Sequence, residues 1–90
     1  MIRSFRSKPL RVFFEKDNPS GLSVPNAARV RRMLLAVDAA SEPQQLNLPG
    51  YFLHGLGGVR RWTIRASGNW RITFGWDGAD AIDVDLEDYH

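Results

Sequence analysis

An α+β fold is predicted, with a short N-terminal strand, two helices and then a mostly antiparallel sheet of three to four strands. Three observations predict it. Apolar residues recur at helical spacing ahead of Ser41-Glu42-Pro43, they alternate singly from Trp62 onward, and turn-forming clusters separate the segments. Ninety residues, 43% hydrophobic and 24% charged, suit one domain over 1–90, close to the lower size at which a core holds without staples.

The elements follow in order. Met1 to Phe5 reads as a short strand. Ser7 is placed to cap a first helix with Pro9 in its first turn, and Leu10, Phe13 and Phe14 then share a face until Asn18-Pro19-Ser20-Gly21 ends it. Ser23 is the expected cap of a second helix, again with proline, Pro25, in the first turn. Val30, Met33, Leu34 and Val37 form its core stripe, with Arg29, Arg31 and Arg32 around the rest. Leu35 lies off that stripe near Ala28 and Ala39, to be covered either by the first helix, which is the expectation, or by another protein. After Leu48-Pro49-Gly50 the period changes. Tyr51 to Leu56 is a predicted strand; Trp62, Ile64 and Ala66 alternate with polar residues in the next; Trp70, Ile72, Phe74 and Trp76 do so after Ser67-Gly68-Asn69. Asp77-Gly78 turns the chain into a last strand carrying Ile82, Val84 and Leu86.

Composition excludes several classes. Without cysteine there is neither a disulfide framework nor a thiolate metal site. With only His54 and His90 as imidazoles, no metal and no cofactor is expected. No apolar run reaches membrane-span length and the start lacks the apolar stretch of a signal peptide, so a cytoplasmic protein without membrane contact is expected. The net charge of +2 conceals a division. Residues 1–71 hold all twelve bases and four of the ten acids, a net of +8, whereas residues 72–90 hold the other six acids and no base, a net of −6. A basic body of this kind attracts polyanions such as RNA. A solvated surface with internally compensated charge fits the same numbers.

Parity predicts the register. With apolar residues on the core face and a three-residue turn at 67 to 69, Ala66 faces Trp70 and Arg65 faces Arg71. Two like charges across a ladder are destabilising unless an anion joins them. A five-residue turn from Asp77 to Ala81 sets Trp76 opposite Ile82 and Arg71 opposite Glu87. Arg71 therefore has two available roles, a cross-strand ion pair and a phosphate clamp. The final Glu87-Asp88-Tyr89-His90 also reads two ways: a solvated acidic end, or a proton-transfer site with carboxylate, phenol and imidazole. Strict alternation separates these side chains, so convergence requires the ladder to end near Glu87.

Four segments carry a resemblance that runs end to end: Met1-Ile2-Arg3-Ser4-Phe5; Leu46-Asn47-Leu48-Pro49-Gly50 with Leu53-His54; Gly68-Asn69-Trp70-Arg71-Ile72-Thr73-Phe74; and Asp83-Val84-Asp85-Leu86-Glu87-Asp88-Tyr89-His90. Together they resemble the HigB toxins of the RelE superfamily. The resemblance implies a RelE-like fold and a type II toxin that cleaves messenger RNA in the ribosomal A site, against the 16S and 23S rRNA surface. It also implies a helix-turn-helix HigA-like antitoxin as partner, with operator DNA bound only through that antitoxin. The family reaction is attack of a ribose 2′-hydroxyl on the adjacent phosphate. By motif position, His54, Asp88, Tyr89 and His90 match catalytic residues and Arg71 the phosphate-binding arginine; Arg65 lies beside it.

The resemblance breaks at Gly55-Leu56-Gly57-Gly58-Val59-Arg60-Arg61. Relatives have a slightly longer turn there, with a lysine. Arg60 or Arg61 is the available replacement, and a guanidinium serves that role only electrostatically. A non-catalytic RNA- or ribosome-binding module and a protein-interaction adaptor remain as other classes, distinguished by whether His54 and His90 are needed for growth inhibition.

Overall fold

The computed structural model describes residues 1–58 and 60–88. Helices α1 (Lys8–Lys16) and α2 (Ala27–Ala39) and a 3-10 turn (Pro43–Leu46) precede β1 (His54–Leu56), β2 (Arg61–Ser67), β3 (Trp70–Asp77) and β4 (Asp80–Asp88). The strands form one antiparallel sheet of order β1-β2-β3-β4. Leu10 and Phe13 of α1, the α2 stripe Val30, Met33, Leu34 and Val37, and Ile64, Ile72, Phe74 and Val84 of the sheet close into one core. Trp62, Trp70 and Trp76 pack half-buried against it, on the face that their parity predicts. Among the described residues no helix is long and apolar enough to cross a membrane.

α1 starts as predicted: the Ser7 hydroxyl accepts the Leu10 N–H at 3.2 Å, and Pro9 occupies the first turn. α2 starts later than Ser23. Its cap is Asn26, whose side chain accepts the Arg29 N–H at 3.1 Å, and Pro25 precedes the helix instead of entering it. Val24 is buried, and residues 23–26 stay outside the helix, which delays its first turn. The expected cover over Leu35 is absent; it stands 49% exposed on the outer side of α2.

The N-terminal segment pairs with β4, but as two isolated parallel bridges, Ile2 with Ala81 and Phe5 with Val84, and not as a continuous strand. The reason lies in β4. Its hairpin closes through Gly78 and Ala79, with Asp77 facing Asp80, three residues tighter than expected, so Trp76 faces Ala81 and not Ile82. The register returns to Thr73 opposite Asp85 and Arg71 opposite Glu87 through a bulge, where Asp83 takes φ 51°. That bulge turns Ile82 out of the core side, against Gly75, and leaves Ala81 and Val84 buried. It also breaks the ladder between the two bridges, where Asp83 N–H donates to the Ser4 hydroxyl at 2.9 Å.

The β2–β3 hairpin shows the same device. Ile64 faces Ile72 and Arg65 faces Arg71 as parity predicts, but Ser67, not Ala66, faces Trp70; a bulge absorbs Ala66 and Gly68 turns the chain at φ 54°. Finally, the strand expected from Tyr51 contracts to His54–Leu56. Phe52 has φ 51°, which takes Tyr51 to Leu53 out of the sheet. Arg29 holds them there, donating to the Gly50 carbonyl at 2.8 Å and to the Ala66 carbonyl at 2.7 Å, with its guanidinium over the Tyr51 ring.

Candidate active site

Helices cover one face of the sheet, and the other face is open. Alternate residues of a strand share a face, so the ladder puts His54, Thr63, Thr73 and Asp85 in one cross-strand row and Arg65, Arg71 and Glu87 in the next. Between the first strands of these rows lies a cleft of about 440 Å³, lined by His54, Arg65 and Arg71 together with Phe52, Leu53, Leu56 and Thr63. His54 is exposed there.

Arg65 and Arg71 face each other as expected, and each solves the repulsion through neutral partners. The Arg65 guanidinium lies 4.7 Å from the centre of the Phe52 ring. Arg71 folds back to donate to the Gly68 carbonyl at 2.9 Å and the Trp70 carbonyl at 3.3 Å. The Arg71–Glu87 ion pair that the register permits is not formed. Glu87 instead accepts the buried Thr73 hydroxyl at 2.6 Å, and that hydroxyl accepts from Arg61 at 3.0 Å. Among the described residues, then, neither cleft guanidinium is in an ion pair. Two uncompensated cations directly across a ladder favour a bound anion between them.

The other predicted residues are placed as follows. Arg61 begins β2 on the open face but is committed to Thr73 and to the Asp83 carbonyl at 2.9 Å, and it does not line the cleft. Arg60 is exposed in the turn before β2. Asp88 continues the ladder opposite Trp70, one residue beyond the expected end, and alternation points it to the helix-bearing side, away from the cleft lining. Tyr89 and His90 lie outside the described residues. No group of three or more His, Asp and Glu able to hold a metal ion occurs among the described residues.

Residues 3–90 match the family described as the RelE-like toxin of type II toxin-antitoxin system HigB. The chain belongs to the HigB-like toxins. It is also 42% identical over 92 aligned residues to the endoribonuclease HigB of Proteus vulgaris, and the alignment spans the whole of both chains. The α+β architecture agrees with a RelE-like toxin, and a type II toxin has an antitoxin as its partner.

Sequence reasoning missed two features of the toxin's cleft. Phe52 was read as one residue of an alternating strand, whereas its left-handed backbone sets it at the cleft wall. Thr63, directly opposite His54, is buried with its hydroxyl lacking a hydrogen-bond partner among the described residues. The parity of β2 already placed Thr63 beside the arginines; nothing in a phenylalanine announces a positive φ.

Proposed function

We propose that this toxin is a metal-independent endoribonuclease of the cytoplasm, formed by one RelE-like domain over residues 1–90, that cuts messenger RNA in the ribosomal A site. The observation that carries the reading is the cleft itself: an exposed imidazole, His54, beside two guanidiniums, Arg65 and Arg71, that form no ion pair among the described residues. The relative's name as an endoribonuclease supports it.

The reaction follows from what such a cleft holds. A phosphodiester sits between Arg65 and Arg71. A base removes the proton of the neighbouring 2′-hydroxyl, the 2′-oxygen bonds to phosphorus, and the bond to the 5′-oxygen breaks as an acid protonates that oxygen. The products are a 2′,3′-cyclic phosphate and a 5′-hydroxyl. His54 and His90 share the proton transfers and Tyr89 positions the nucleotide, while Asp88, on the helix-bearing side opposite Trp70, has no role at the cleft lining. Glu87 ends the row of Arg65 and Arg71, which supports a role for the last residues of the chain at the phosphate site. Arg71 and Arg65 stabilise the charge gathering on the phosphate, a contribution that preorganised donors make without rearranging. Arg60 and Arg61 add positive potential toward the ribosomal RNA. A HigA-like helix-turn-helix antitoxin neutralises the toxin and alone contacts operator DNA.

The test uses ribosome-bound messenger RNA with a single 2′-deoxy nucleotide at the cut site. Cleavage there is expected to vanish while other sites are cut normally, and His54→Ala is expected to slow all sites by roughly 10²- to 10⁴-fold. Unaltered cutting at the deoxy position, or by His54→Ala, rejects the reading.

A further inference from the structure

We infer that Phe52 is a stacking platform for the base next to the scissile phosphate and gives the toxin a preference for a purine at that position. The inference rests on the ribonuclease reading above and deepens it. Phe52 is 64% exposed although large and apolar, and its backbone is left-handed at φ 51°, a conformation disfavoured for any residue with a β-carbon. Strain of this kind persists where the surroundings over-determine it, and it gathers at ligand sites.

The surroundings here are specific. On one side of Phe52, Arg29 grips the Gly50 carbonyl, and the Tyr51 carbonyl accepts the Arg65 N–H at 2.7 Å. On the other, His54 starts β1, paired with Thr63. The left-handed turn between these anchors lifts the ring out of the strand and sets it at the wall of the cleft two residues from the imidazole. Arg65 then lies 4.7 Å from the ring centre and holds the ring in place. A ring held in this way, largely open to solvent, is a surface for another planar π system, and a nucleobase brings its own phosphate to the same guanidinium. Stacking strength grows with the size of the base, so purines are favoured over pyrimidines without any hydrogen-bond readout.

The experiment measures cleavage of ribosome-bound messenger RNAs, and of the same RNAs free, that carry a purine or a pyrimidine on either side of the cut. It compares the intact toxin with Phe52→Gly, Phe52→Leu and Phe52→Trp. Glycine suits φ 51°, so Phe52→Gly is expected to melt within a few degrees of wild type. Its half-saturating concentration is nevertheless expected to rise roughly 5- to 150-fold, the range of base–aromatic stacking, with little change in the plateau rate. Phe52→Leu keeps apolar bulk and is expected to lose the purine preference, and Phe52→Trp to restore both properties. The inference is overturned if Phe52→Leu binds and discriminates like wild type, or if Phe52→Gly loses stability in step with activity. It is equally overturned if the variants cut normally but escape neutralisation by the antitoxin, since the ring then serves a protein interface. A wild-type toxin that cuts neither RNA removes the ribonuclease reading, and stacking with it; failure of the Phe52 variants alone leaves that reading standing.

Discussion

Arg65 and Arg71 repel each other across the β2–β3 ladder, and the protein keeps both in place with an aromatic ring and two carbonyls in place of a carboxylate. Such a pair is an expense that stability alone would not maintain. Arg65→Gln is therefore expected to raise the unfolding free energy by about 0.2–1 kcal/mol, the worth of a cross-strand pair, while weakening RNA cleavage. Urea denaturation beside a cleavage assay checks this, and a variant both less stable and equally active contradicts it. Part of this site was legible from residue types: parity put Arg65 opposite Arg71 and Arg71 opposite Glu87. What parity did not reveal is side-chain choice. Glu87 has Thr73 within reach as a donor and takes its hydroxyl, leaving Arg71 to the Gly68 turn.

Among the elements, the helices were the most readable, because caps and a 3.6-residue period act locally. α1 begins at its expected cap, and the four predicted core residues of α2 are all buried. The start of α2 was misplaced by three residues because Ser23 and Asn26 are both good caps; burial of Val24 decides between them, and burial is a tertiary fact. Asn26→Ala should accordingly cost about 1 kcal/mol, and Ser23→Ala, an exposed residue ahead of the helix, close to nothing. Thermal melts of the two variants separate the alternatives. The bulges at Ala66 and Asp83 were invisible for a different reason: an inserted residue shifts pairing without changing local composition. The second of them moves Ile82 out of the core side, so the strict alternation of Ile82, Val84 and Leu86 was misleading at its first member.

At the scale of the molecule, the charge division acquires a geometry. Asp77 and Asp80, at the β3–β4 turn, are met by Arg3 and by the N-terminal amine, which lies 3.6 Å from Asp80. Arg3 is held more firmly protonated by its hydrogen bond to Asp77 and the attraction of that carboxylate. Six residues of β3, about 20 Å at strand rise, separate Asp77 from Arg71. The compensation of acidic charge at the turn is thus remote from the cleft, and Arg65 and Arg71 keep their positive potential for a phosphate. The central claim is that RNA is cut in this cleft. Its most direct test is single-turnover cleavage of ribosome-bound messenger RNA by Arg71→Ala, run with a thermal melt on the same preparation. The expected rate is on the order of 10²- to 10³-fold below wild type, with partial recovery in Arg71→Lys and a melting temperature no lower than wild type. An Arg71→Ala toxin that cuts at the wild-type rate contradicts the claim.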